Sequence, residues 1–139
     1  MPLRMVERIP LRYIGIQYNM KREITEKPLA WEGSSYRDLR SFPREARKQA
    51  GYELGQVQLG EHASHWKPMP SIGPGATEIK IKLREDAGTQ EFRVIYVANF
   101  KEAIYVLHSF QKKTQRTSAQ DVAIAKRRYS DVMAARGRS

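Results

Sequence analysis

The spacing of apolar residues along the chain changes period three times, and each change marks a different kind of element. KPLAW (27–31) is a short apolar run before Gly33 and is predicted as a strand. Ser35 then precedes Tyr36, Arg37 and Asp38, with the acid three residues on, as in a capping box that opens a short helix ending near Phe42. Pro43 suits the first turn of a second helix, where its missing N–H costs nothing. From there Ala46, Ala50, Leu54 and Val57 recur at helical spacing, and Gly60 is a natural terminator. Two linked helices of this kind form a helical hairpin.

Residues 61–75 (EHASHWKPMPSIGPG) form a proline-rich loop in which Trp66 is the expected anchor. Beyond it the period drops to two. In TEIKIKL (77–83), Ile79, Ile81 and Leu83 alternate with Glu78, Lys80 and Lys82, the pattern of a half-buried strand. REDAGTQ is a hairpin turn, FRVIYVA (92–98) is strongly β-prone, and NFKE turns the chain into AIYVLHSF (103–110). Three strands joined by short turns imply an antiparallel meander. Ser118 caps a final helix with the apolar stripe Val122, Ala125, Tyr129, Val132 and Met133. The pattern therefore predicts an α+β domain over 24–139: an N-terminal helical hairpin packed on a small antiparallel sheet, made of a short N-terminal strand plus the meander, and a C-terminal helix.

Residues 1–23 stand apart. Arg4, Glu7, Arg8, Pro10 and Arg12 interrupt their apolar stretch, so no secretory core forms, and the segment reads as a flexible extension. No apolar run approaches the roughly 20 residues of a membrane span. The chain has no cysteine, which removes disulfides and thiolate chemistry and agrees with a cytoplasmic location.

Charge changes the picture more. The net charge is +10 in 139 residues, which favours a polyanionic partner. Residues 107–139 hold eight Lys or Arg against Asp121 and Asp131, so six of the ten excess charges lie there. Within LHSFQKKTQRTS (107–118), a buried strand gives way at once to Gln111, Lys112, Lys113 and Arg116, with His108 just before. Alternation puts Lys80 and Lys82 on one face of their strand, and Arg93 opens the next strand within reach of that side. Together these groups would build a cationic hollow suited to a phosphate backbone and an anionic transition state. A solvated basic surface is the plainer reading of the same residues. Trp66 and Tyr129 could stack on a base, although aromatic residues at such positions more often belong to the core. His62 and His65 have the spacing of a metal pair but lack a third ligand.

The element order, with EIKIKL, EFRVIYVA and VLHSFQKKTQRTS, resembles the RelE/ParE superfamily of toxins from type II toxin–antitoxin systems. KPLAWEGSS, WKPMPSIGPG and FQKKTQRT are similar to its HigB-type, phage-derived branch in particular. The resemblance implies an mRNA interferase: an endoribonuclease that cuts mRNA in the ribosomal A site by attack of the 2′-hydroxyl, without metal or cofactor, and so inhibits translation. It places the paired strand lysines on Lys80 and Lys82, the strand-opening arginine on Arg93, and the basic pair on Lys112 and Lys113. Lys67, Gln111 and Arg116 join these as RNA- or phosphate-binding candidates. A tyrosine that RelE carries near the start of its last helix has no counterpart near Ala119, which leaves His108 or a lysine of lowered pKa as the base. The implied partners are mRNA on the ribosome and a cognate antitoxin, often of helix-turn-helix type, through which the complex would reach operator DNA. Two alternatives share the fold: a ParE-like protein that inhibits DNA gyrase by binding, and a non-catalytic nucleic-acid-binding phage-derived protein.

Overall fold

The computed structural model describes residues 5–7 and 26–138. In chain order the elements are β1 (Met5–Glu7), β2 (Leu29–Trp31), α1 (Ser35–Arg40), α2 (Arg44–Gln58), β3 (Trp66–Pro68), β4 (Ala76–Glu85), β5 (Gly88–Val97), β6 (Ile104–Lys112) and α3 (Ala119–Gly137). Of the expected N-terminal extension, Met5–Glu7 adds an antiparallel edge strand to β2, and the remainder lies outside the described residues.

The expected meander is β4–β5–β6. Its first turn is tighter than expected from the REDAGTQ stretch: Glu85 pairs with Gly88, so Asp86 and Ala87 alone close the hairpin and the rest of that stretch is strand. Gly88 has φ +131°, a conformation that side chains disfavour. The expectation of a small antiparallel sheet needs correcting. Among the described residues the sheet has six strands in the order β1-β2-β6-β5-β4-β3, and β2 runs parallel to β6, pairing Leu29 with Ile104 and Trp31 with Val106. The reason is connectivity. Helices α1 and α2 and strands β3, β4 and β5 separate β2 from β6, and so long a crossover permits parallel pairing where a tight turn would not. Residues 66–68, expected to be loop, pair with Thr77–Ile79 of β4 as the other edge.

The two sheet faces bury different helices. On one, Ile79, Val94 and Val106, each 0 % exposed, meet Ala46, Ala50, Leu54 and Val57 of α2, all four buried as their spacing predicted. On the other, Ile95, Val97 and Leu107 meet Ala125 and Val132 of α3. Each buried Val, Leu or Ile among them contributes about 1.5–3 kcal/mol relative to an exposed one, and each Ala less. Met133, at the far edge of the expected stripe and about 100° round the helix from the buried Val132, is exposed. The cap of α1 is also displaced by one residue. Ser34 occupies the N-cap position, its hydroxyl donating to Asp38 at 2.6 Å, while Ser35 is buried and donates to the carbonyl of Val106.

Trp66 does not anchor the core. It is 40 % exposed and stacks on His62, with centroids 4.4 Å apart. Tyr129 is packed instead. Its ring lies against Gly73, where a Cβ would sit 2.5 Å from ring carbons, and its hydroxyl donates to the carbonyl of Pro74 at 2.8 Å.

Candidate functional site

Strand register decides which charges meet. Three rows cross the sheet on the face that α3 only partly covers. Lys67 lies opposite Glu78, and Glu78 opposite Ile95, which in turn pairs with His108. Lys80 lies opposite Arg93, and Arg93 opposite Phe110. Lys82 lies opposite Glu91, and Glu91 opposite Lys112. Directly opposed residues share a face, so Lys67, Lys80, Lys82, Arg93 and Lys112 come together from four strands. This is possible only because β6 continues two residues past Phe110 and ends at Lys112.

At the centre is an ionic network. Glu78 is fully buried and Arg93 is 2 % exposed. Arg93 Nε lies 3.2 Å from Glu78 Oε1, and Arg93 Nη2 donates to Glu91 Oε1 at 3.0 Å. Glu78 is 3.8 Å from the ammonium of Lys67 and accepts a hydrogen bond from the Thr117 hydroxyl at 3.2 Å, which ties the loop before α3 to the sheet. The guanidinium is thus held between two carboxylates rather than presented as a free cation, while Lys82 is exposed and Lys67, Lys80 and Lys112 are half-buried. The hydrogen bond from Arg93 keeps the Glu91 carboxyl below its usual pKa. Burial, followed by the nearby charge of Arg93, lowers the Lys112 ammonium from its ordinary value, and Glu91 and Glu78 oppose that shift. A groove of about 690 Å³ beside the open end of β4 is lined by Lys80, Lys82, Glu91 and Arg93 together with His65 and Gln49. Such an arrangement can hold an anion against several ammonium groups on a rigid base, and can supply a proton from a lysine of lowered pKa.

Not every candidate arrives there. Gln111 pairs with Phe92 and so occupies the opposite face from Lys112. Lys113 and Arg116 are exposed in the segment that leads to α3. His108 shares the face but is enclosed: it is 5 % exposed, stacks on Phe110 at 4.7 Å, and its Nε2 lies 2.7 Å from Asp121 Oδ1. Because a carboxylate only accepts, Nε2–H is the donor, leaving Nδ1 buried without a hydrogen-bond partner. Asp121 is itself fixed by Ser118, which donates to its Oδ2 and caps its backbone N–H.

Burial lowers the His108 pKa from its ordinary 6.5, and Asp121 offsets part of the effect. Below about pH 6.5 the unfolded chain therefore takes up a proton that the folded chain resists. Stability falls as pH drops through the unfolded value toward the folded one. The denaturant midpoint should decline between pH 7 and pH 5 more steeply for the wild type than for His108→Gln, and parallel profiles would exclude this role for the imidazole.

Sequence reading missed Glu78, Glu91, Thr117 and Asp121. The first two were within reach of it: Glu78 has the same parity as Lys80 and Lys82, and Glu91 the same parity as Arg93. Thr117 and Asp121 carried no such signal, because their partners are distant in the chain. Among the described residues no three His, Asp or Glu side chains gather as a metal-binding group, and no helix is long and apolar enough to cross a membrane.

Comparison with curated proteins found no match. The model of the family described as "Phage derived protein Gp49-like (DUF891)" matches residues 37–130, from α1 through most of α3 and including Lys67, Lys80, Lys82, Arg93 and Lys112. The chain belongs to the phage-derived Gp49-like family.

Proposed function

We propose that the protein is the toxin of a type II toxin–antitoxin system and acts as an endoribonuclease on mRNA at the ribosome, halting translation. Its family is associated with RelE/HigB-like toxins. The observation that carries the reading is the meeting of Lys67, Lys80, Lys82 and Lys112 around the Arg93–Glu78–Glu91 network on one sheet face.

In the proposed reaction the ribose 2′-oxygen attacks the adjacent phosphorus, the bond to the 5′-oxygen breaks, and a 2′,3′-cyclic phosphate remains. One proton leaves the 2′-hydroxyl and one is delivered to the departing 5′-oxygen. Lys80 and Lys82 face the open groove and would bind the phosphate and its developing charge. Lys112, whose pKa is lowered, would give the proton to the departing 5′-oxygen, and water in the open groove would take up the proton from the 2′-hydroxyl. The enclosed His108 would instead brace β6 against α3. An antitoxin that silences the protein would cover this basic face.

Induction in bacteria should stop growth with early loss of translation. Purified protein added to translating ribosomes should leave mRNA fragments ending in cyclic phosphate. A DNA-damage response with intact transcripts would favour gyrase as the target, and RNA binding without cut products would reduce the role to binding.

A further inference from the structure

On the opposite side of the sheet from the lysines, a second cleft of about 500 Å³ lies between the α1–α2 corner and the end of β6. Phe42 and Phe92 give it an apolar floor, and Ser109 and Gln111 line it beside them. One polar atom on this side, Ser109 Oγ, is buried without a hydrogen-bond partner, and Ser109 is only 1 % exposed. Unpaired polar atoms of this kind are costly unless a ligand or water satisfies them. Arg37, Arg40 and Arg44, all exposed, stand along the same corner.

Access from the lysine face is direct. β2 pairs with β6 only as far as Val106, so beyond that point β6 is an outer strand among the described residues. Phe92 and Gln111 in the cleft are chain neighbours of Arg93 and Lys112 on the other face. Past Leu107, whose carbonyl accepts from Arg128, a ribose-phosphate chain gripped by the lysines can round the end of β6 near Lys112 to reach the cleft.

We propose that this cleft is a nucleobase subsite, which receives an unpaired base next to the phosphate held by Lys80, Lys82 and Lys112, while the α1–α2 arginines hold the flanking backbone. The inference rests on the RNA reading given above and adds to it where a base is held. An apolar slot that ends on an unsatisfied hydroxyl suits a single-stranded base, whose faces stack and whose edges hydrogen-bond.

The experiment is fluorescence anisotropy of the full chain with a short single-stranded RNA and with the same RNA carrying one abasic site, moved position by position. At one position, loss of the base should weaken binding about tenfold, the size expected for one stacked base. Ser109→Val should shrink that difference, and Gln111→Ala, an exposed change that leaves the core alone, should do so as well. Salt-sensitive binding that is equal for intact and abasic RNA at every position would overturn the subsite and leave the phosphate face standing. A base effect that persists in both variants would place the base elsewhere and also overturn it. Absence of any RNA binding would overturn both readings together.

Discussion

Glu78→Ala should destabilise the protein by about 3–5 kcal/mol, because it leaves the Arg93 guanidinium buried beside a single remaining carboxylate. That is a large fraction of the roughly 5–15 kcal/mol that holds a domain of this size together. The same substitution frees Thr117 and so loosens the loop that leads into α3. Removing both charges is a different matter. The pair Glu78→Leu with Arg93→Met should recover much of the loss, since a buried ion pair exchanged for apolar groups of similar volume is often neutral or better. It should not recover RNA cleavage, because Glu91 would lose the hydrogen bond that orients it between Lys82 and Lys112. Denaturant unfolding checks the first part. A loss below about 1 kcal/mol in Glu78→Ala would show that the network bears little weight in the fold.

The second large effect concerns the lysines. Lys80→Ala, Lys82→Ala and Lys112→Ala should each slow mRNA cleavage on translating ribosomes by about 10²–10³-fold, the range for losing one group that stabilises charge or transfers a proton. Unfolding midpoints should hardly move, since these side chains are exposed or half-buried at a sheet surface. The three variants should differ in kind. Lys112→Ala should act mainly on kcat and change the alkaline limb of the pH profile, because its ammonium has the lowered pKa. Wild-type activity should fall as pH rises through that value and the group loses its proton. Lys80→Ala and Lys82→Ala should also weaken RNA binding and flatten its salt dependence. Lys126→Ala, an exposed change on α3, serves as the control and should leave the rate unchanged.

Much of this was legible in the chain before its shape was known. Alternation in TEIKIKL separated Ile79 and Ile81 from Lys80 and Lys82, and the α2 stripe of Ala46, Ala50, Leu54 and Val57 is buried as its period required. Local pattern decides such matters, because the period of an element determines its faces. What escaped was relational. Nothing local says that β2 lies parallel to β6, that the strand runs on to Lys112, or that a bulge between Ile95 and Tyr96 of β5 resets the pairing near His108. Arg93 read as a free cation because its neighbours in sequence are apolar or alternate with it. Glu91 lies two positions back on the same strand, but only the register, which sets Glu78 on the other side, shows that Arg93 is held between carboxylates. His108 likewise read as available, whereas Asp121, 13 residues later, and Phe110 enclose it.

The proposed activity requires a 2′-hydroxyl to attack a phosphate held on the lysine face. The most direct measurement uses translating ribosomes and an mRNA cut by the wild-type protein, compared with the same mRNA bearing one 2′-deoxynucleotide just before the cut. Cleavage at that bond should disappear while other susceptible bonds are still cut, and each upstream wild-type product should end in a cyclic phosphate with a 5′-hydroxyl on its downstream partner. Undiminished cleavage at the deoxy position, or no cleavage of either message by folded protein, would contradict the proposed activity.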